Sequence, residues 1–131
     1  MNRRLISAVI AFALAAPVAA QAEGHGEKKA KASYMQIDSI AVSVMRPGGR
    51  RGVLTVEVGV DQPDPALRDK LDLYVPPLRS AYVSALQPYA LGLPPGLPPN
   101  ADYISMTLQR ETDRVLGRRG AKLLIGSILV N

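Results

Sequence analysis

Two stretches of period-two alternation, separated by a glycine-rich turn, most constrain this chain. In YMQIDSIAVSVM (34–45), Ile40, Val42 and Val44 fall on one side and Ala41, Ser43 and Met45 on the other. In VLTVEVGV (53–60), Leu54, Val56, Val58 and Val60 oppose Val53, Thr55, Glu57 and Gly59. Strand side chains alternate between faces, so each run reads as a strand with one apolar face. Between them, RPGGRRG (46–52) carries Pro47 and two adjacent glycines, a turn signal. The pair forms a β-hairpin, and a lone hairpin is marginal in water, so its apolar face needs a cover. The opposite face, with Ser43, Thr55 and Glu57, is left for water or a partner.

Two helical patterns supply the cover. Asp64 is placed to cap a helix and Pro65 to begin it. Leu67, Leu71, Tyr74, Val75, Leu78, Tyr82, Val83 and Leu86 then recur at three- and four-residue steps. Arg68, Asp69, Lys70, Asp72 and Arg79 take the polar side. Pro76 and Pro77 interrupt the run, which predicts a kink or two short helices meeting at 75–76. QPYALGLPPGLPPN (87–100) holds five Pro and two Gly, and reads as a semi-rigid connector rather than a helix. Asn100 caps a second helix over 101–116. Ile104, Leu108 and Val115 lie on one face of it, with Ala101 and Met106 at the edges of that face. Gly117 or Gly120 ends the helix, with Arg118 and Arg119 beside the negative end of its dipole. AKLLIGSILV (121–130) has one charge and reads as a strand buried on both faces, central in the sheet. The order β-β-α-α-β gives an α+β class: a small three-stranded sheet packed against two helices, in a single domain over 34–131.

The N-terminus is of another kind. Arg3 and Arg4 precede sixteen uncharged residues (5–20), and Ala20-Gln21-Ala22 is an A-x-A cleavage site. Basic start, apolar middle and small-residue exit make a signal peptide over 1–22, expected to be cleaved after Ala22 with export to the periplasm. A spanning anchor needs about 20 apolar residues, so this segment is short for one. The Arg3-Arg4 pair partly resembles the twin-arginine (Tat) motif, with Asn2 where Ser or Thr is usual and Ile6 where Phe is usual. A general secretory signal uses the same pair for orientation. Residues 23–33 (EGHGEKKAKAS) form a flexible linker, with His25 solvated in it. Without 1–22 the chain keeps 14 of 16 basic residues and all 11 acids, a net charge of +3 rather than +5.

Composition excludes much chemistry. No Cys means no disulfide, zinc–thiolate site, iron–sulfur cluster or haem attachment, and one His excludes a multi-His metal site. Neither phosphate-loop nor dinucleotide glycine motif occurs. Ser/His/Asp catalysis would have to use His25 in the linker. Asp61, Asp64, Asp69 and Asp72 cluster after the second strand, but acids suit a helix start anyway. No catalytic residue, metal or cofactor is expected, and no enzyme.

Arg46, Arg50 and Arg51 flank one turn, and Arg110, Arg114, Arg118 and Arg119 run along and past the last helix. These are the candidate contact residues, facing lipid head groups or an acidic partner. Glu111 and Asp113 among the second set also fit an ordinary solvated face. Nucleic acid is not expected, since net +3 without interleaved aromatics fits it poorly.

Tyr34-Met35-Gln36-Ile37, the strand to Asp61, and Leu67 and Leu71 leading to Pro77-Leu78-Arg79 form a pattern, closed by the strand ending at Val130. It resembles the periplasmic domain of the FliL family, the flagellar basal-body-associated proteins. The resemblance spans most of 34–131. It implies a fold similar to stomatin-homology domains and a non-enzymatic module that works by protein–protein contact at the cell envelope. The implied partners are inner-membrane or periplasmic proteins such as flagellar stator or motor components, with a homo-oligomer by edge-strand pairing also expected. The Pro-rich connector departs from the family pattern, as does a cleaved leader where members keep a membrane helix. The alternative is a soluble periplasmic binding module for a small or lipidic ligand, with Tyr74, Tyr82, Tyr89 and Tyr103 lining a pocket near the Pro loop. Against that pocket stands the reading of these tyrosines as core residues with wet hydroxyls.

Overall fold

The computed structural model describes residues 33–131. The expected leader, with Arg3, Arg4, Ala20 and Ala22, lies outside the described residues, as does most of the linker with His25. Strands β1 (Tyr34–Met45) and β2 (Arg51–Asp61) form the expected antiparallel hairpin, and β3 (Lys122–Val130) pairs antiparallel with β2. The one-turn helix α1 (Pro65–Arg68), then α2 (Leu71–Gly92) and α3 (Ala101–Leu116), lie between β2 and β3 in the chain. The result is the expected three-stranded α+β fold. Its core joins Ile40, Val42 and Val44 of β1 and Leu54, Val56, Val58 and Val60 of β2 to Leu71, Leu78, Tyr82 and Leu86 of α2 and Ile104 and Leu108 of α3. Among the described residues, no helix is long and apolar enough to cross a membrane.

Three expectations need correction. The first concerns β3, which is not central: the strand order is β1-β2-β3, so β3 is an edge strand. Nor is it buried on both faces, since Leu124, Leu129 and Val130 are exposed. The second concerns the break in the long helical run. It falls at Asp69–Lys70, and α2 passes through Pro76 and Pro77. Both prolines are exposed, as are Asp72 and Leu73, whose carbonyls lose an N–H partner and can turn to water. The third is that 87–92 is helix, not connector, in spite of Pro88. Ala90 is fully buried and Tyr89 packs against the core, so burial of one more turn outweighs the single bond lost at Pro88. The helix stops at Leu93, which is extended because Pro94 follows it.

The helix starts match the sequence signals. Asp64 Oδ1 accepts from the Ala66 N–H at 2.9 Å, with Pro65 in the first turn. Asn100 Oδ1 accepts from the Tyr103 N–H at 3.0 Å. Gly117 closes α3 with φ +72°, the left-handed cap that glycine adopts without strain. Along α3 the apolar face holds Ile104, Leu108 and the unforeseen Thr112, whereas Met106 points to solvent.

Both edge strands carry a bulge, and both bulges lie opposite Glu57. Register shifts between Ile37 and Ile40 on β1, against Val58 and Val56. It shifts again between Ile125 and Ile128 on β3, against the same two valines. Glu57 therefore faces two residues on either side, and its side chain lies where a Cβ at Gly126 would sit, 3.0 Å from Oε2.

Candidate functional site

The seven arginines fall into two sets that the fold keeps apart. Arg46, Arg50 and Arg51 stand at the hairpin tip, where β3 also ends, since Leu54 pairs with Val130. Arg118 and Arg119 precede Lys122, which pairs with Asp61 at the other end of β2. Eight residues of β3 separate the ends, about 26 Å at roughly 3.3 Å per residue. Arg114 is engaged by Glu111 through Nε at 2.9 Å and through Nη2. Arg110, Arg118 and Arg119 are exposed and make no ion pair among the described residues.

The tip is shaped by two similar turns. In the hairpin, the Gly49 N–H donates to the Arg46 carbonyl at 3.1 Å, with Pro47 second and Gly48 third at φ +84°. In the Pro loop, the Leu97 N–H donates to the Pro94 carbonyl at 3.2 Å, with Pro95 second and Gly96 third at φ +85°. Proline then glycine at these places is the signature of a type II turn. The turns touch: a Cβ on Gly96 would lie 3.6 Å from Pro47 Cγ. Between them lies an open groove of about 380 Å³, lined by Val44, Leu93, Leu97, Ile128 and Val130, with Arg46 at its rim.

None of the tyrosines lines that groove. Tyr82 is fully buried, and its hydroxyl lies 2.7 Å from Thr112 Oγ1 rather than in water. Burial pushes its pKa up to about 12, the Thr112 hydrogen bond opposes the rise, and the charge of Glu111 adds to it. Tyr89 and Tyr103 stack with ring centroids 4.8 Å apart, and the Tyr89 hydroxyl accepts from the Asn100 N–H at 2.7 Å. The two rings thus pin the Pro loop to the start of α3.

In the acidic cluster at and after the end of β2, Asp64 caps α1, and Asp61 Oδ1 is buried without a hydrogen-bond partner among the described residues. Among the described residues, no group of His, Cys, Asp or Glu is placed to hold a metal ion.

Sequence reasoning missed two glutamines that work on the sheet edges. On β1, the Ser43 N–H donates to Gln87 Oε1 at 3.3 Å, and Gln87 Nε2 donates to the Ser43 carbonyl at 3.1 Å. On β3, the Leu123 N–H donates to Gln109 Oε1 at 2.9 Å, and Gln109 Nε2 donates to the Ala121 carbonyl at 2.9 Å. Each side-chain amide stands in for a neighbouring strand. Beyond Leu123 the β3 edge has no hydrogen-bonded neighbour among the described residues. The Asn131 and Val53 backbones pair at 2.9 and 3.0 Å, so by alternation Ile128 and Val130 turn their N–H and C=O outward. No other described residue bonds to them. A groove of about 540 Å³ runs beside this edge against Ala101, Asp102 and Ser105 of α3.

Comparison with known protein families, with curated proteins and with solved structures gives no match to this chain.

Proposed function

We propose that this chain is a non-enzymatic periplasmic protein of FliL-like type, exported by its N-terminal segment, that works by protein–protein contact at the cell envelope beside the flagellar motor. The observation that carries the reading is the open half of β3. Outward N–H and C=O groups at Ile128, which lines the groove along α3, and at Val130, nearer the tip, are a geometry suited to an added strand. Gln109 closes only the first part of that edge. Edge strands are ordinarily blunted, so an unblunted stretch is a natural contact. Arg118 and Arg119, which make no ion pair among the described residues, bring positive charge to the Lys122 end of β3, and Arg110 stands midway along α3. Further support comes from the element order β-β-α-α-β, which the resemblance in residues 34–131 implies.

The test places a photo-crosslinking residue at Leu124, exposed on β3, in the full chain expressed in its own cells. Capture of a stator or motor component, with swimming impaired on deletion, is expected. Unchanged swimming together with no envelope partner in the cross-linked products would refute the reading.

A further inference from the structure

We propose that the hairpin tip and the Pro loop together dock on a bilayer surface carrying anionic head groups. It rests on the other arginine set and meets the protein contact argued above only at Ile128 and Val130.

Arg46, Arg50 and Arg51 are all exposed at the end of the hairpin, with the Arg46 stem lying across Gly52. None makes an ion pair among the described residues, and no carboxylate side chain lines the adjoining groove. The far end of the domain differs: there Arg68, Lys70 and Lys122 sit among Asp61, Asp64, Asp69 and Asp72, a mixture of signs that suits water. The single-sign tip is also the apolar end. Met45, Val53, Leu91, Leu97, Leu129 and Val130, half of the exposed large hydrophobics, ring it. Leu97, the last residue of its turn, is 57% exposed.

Protruding apolar side chains among unpaired arginines match the boundary between head groups and acyl chains. Apolar groups enter it while the cations stay at the charged surface. An acidic protein would satisfy the charge, but it would have to meet apolar residues on both sides of the sheet, with Met45, Val53 and Leu129 on the outer side and Leu97 and Val130 on the helix side. A fluid bilayer conforms to such an arrangement.

The chain has no Trp, so a single introduced Trp reports its own surroundings. Leu97→Trp at the tip is compared with Leu73→Trp, a 76% exposed site at the other end. The full chain is mixed with vesicles of two parts phosphatidylcholine to one part phosphatidylglycerol, or of phosphatidylcholine alone. Leu97→Trp emission is expected to move to the blue with the anionic vesicles only, and Leu73→Trp emission to stay put. The N-terminal apolar segment is common to both proteins, so its own partition cannot produce that difference. Adding Arg46→Gln, Arg50→Gln and Arg51→Gln is expected to weaken partition about a hundred-fold, at roughly 1 kcal/mol for each arginine near an anionic surface. Salt at about 0.5 M should reverse the Leu97→Trp shift with all three arginines in place. No shift at Leu97→Trp, an equal shift at Leu73→Trp, or partition indifferent to both the arginines and salt overturns the proposal. The first of these results would leave the tip to an acidic protein.

Discussion

Tyr82 and Thr112 join α2 to α3 through a hydroxyl pair whose direction can be assigned. Thr112 Oγ1 lies 2.8 Å from the Leu108 carbonyl, which only accepts, so the single Thr112 proton is used there. Tyr82 must therefore donate across the 2.7 Å contact to Thr112. Both residues are 0% exposed. Thr112→Val keeps the shape but strands the Tyr82 proton in a dry site, a loss of about 1–3 kcal/mol. Tyr82→Phe removes the donor while Thr112 keeps its bond to Leu108, a loss of about 0.5–1.5 kcal/mol. With both changed, no buried polar group is orphaned between the helices, so the double variant should lose about 1 kcal/mol less than the sum. Urea unfolding followed by far-UV circular dichroism measures all three. High pH gives an independent reading. The folded-state pKa of about 12 lies above the unfolded value near 10, so the neutral form belongs to the fold. Its stabilisation is complete below pH ~10 and is lost as pH rises toward ~12, on the order of 2–3 kcal/mol. Other tyrosines and lysines titrate there too, so the quantity to compare is wild type minus Tyr82→Phe. Additivity within about 0.5 kcal/mol, or equal alkaline slopes for the two proteins, would refute the reasoning.

The edge glutamines should differ in weight. Gln109→Leu orphans the partly buried Leu123 N–H and Ala121 C=O and is expected to cost about 1–3 kcal/mol, with faster hydrogen exchange at Leu123. Gln87→Leu frees groups at Ser43 that water can reach, so it should cost about 1 kcal/mol or less. Two glycines give a similar contrast. A Cβ at Gly52 would run into the Asn131 backbone carbonyl, whereas one at Gly59 would meet the ring of Tyr34, which is half exposed and can swing away. Gly52→Ala is therefore expected to cost about 1–3 kcal/mol and Gly59→Ala less than about 1 kcal/mol by thermal unfolding, and the reverse order would contradict the argument.

The hairpin, the two caps and the left-handed end of α3 were legible because each follows from local chemistry. Asp64, Asn100 and Gly117 stand next to the groups they satisfy. The course of α2 was not legible, because its prolines argue locally against a helix. What decides the matter is the packing of Leu78, Tyr82, Leu86 and Ala90 on a sheet that the local sequence does not contain. The arginines were visible as residues but not as places: only the β2–β3 register puts Arg51 and Arg118 at opposite ends. Gln87 and Gln109 carried no signal at all, since a glutamine on a helix gains its role from the strand it happens to reach.

The two bulges account for what period-two reading could and could not see in the edge strands. Ile37 and Ile40 are both buried although three residues apart, because the bulge between them returns the chain to the same face. Alternation in β1 is thus clean only from Ile40 onward. In β3 the same device brings Leu123, Ile125, Ile128 and Val130 to the helix side of the sheet, opposite Val60, Val58, Val56 and Leu54. Leu124 and Leu129 fall on the outer side, and the broken period makes the segment look uniformly apolar. A uniformly apolar run suggests a central strand, yet a bulge is characteristic of an edge. The feature that disguised β3 in the sequence therefore follows from the position that leaves part of it open to a partner.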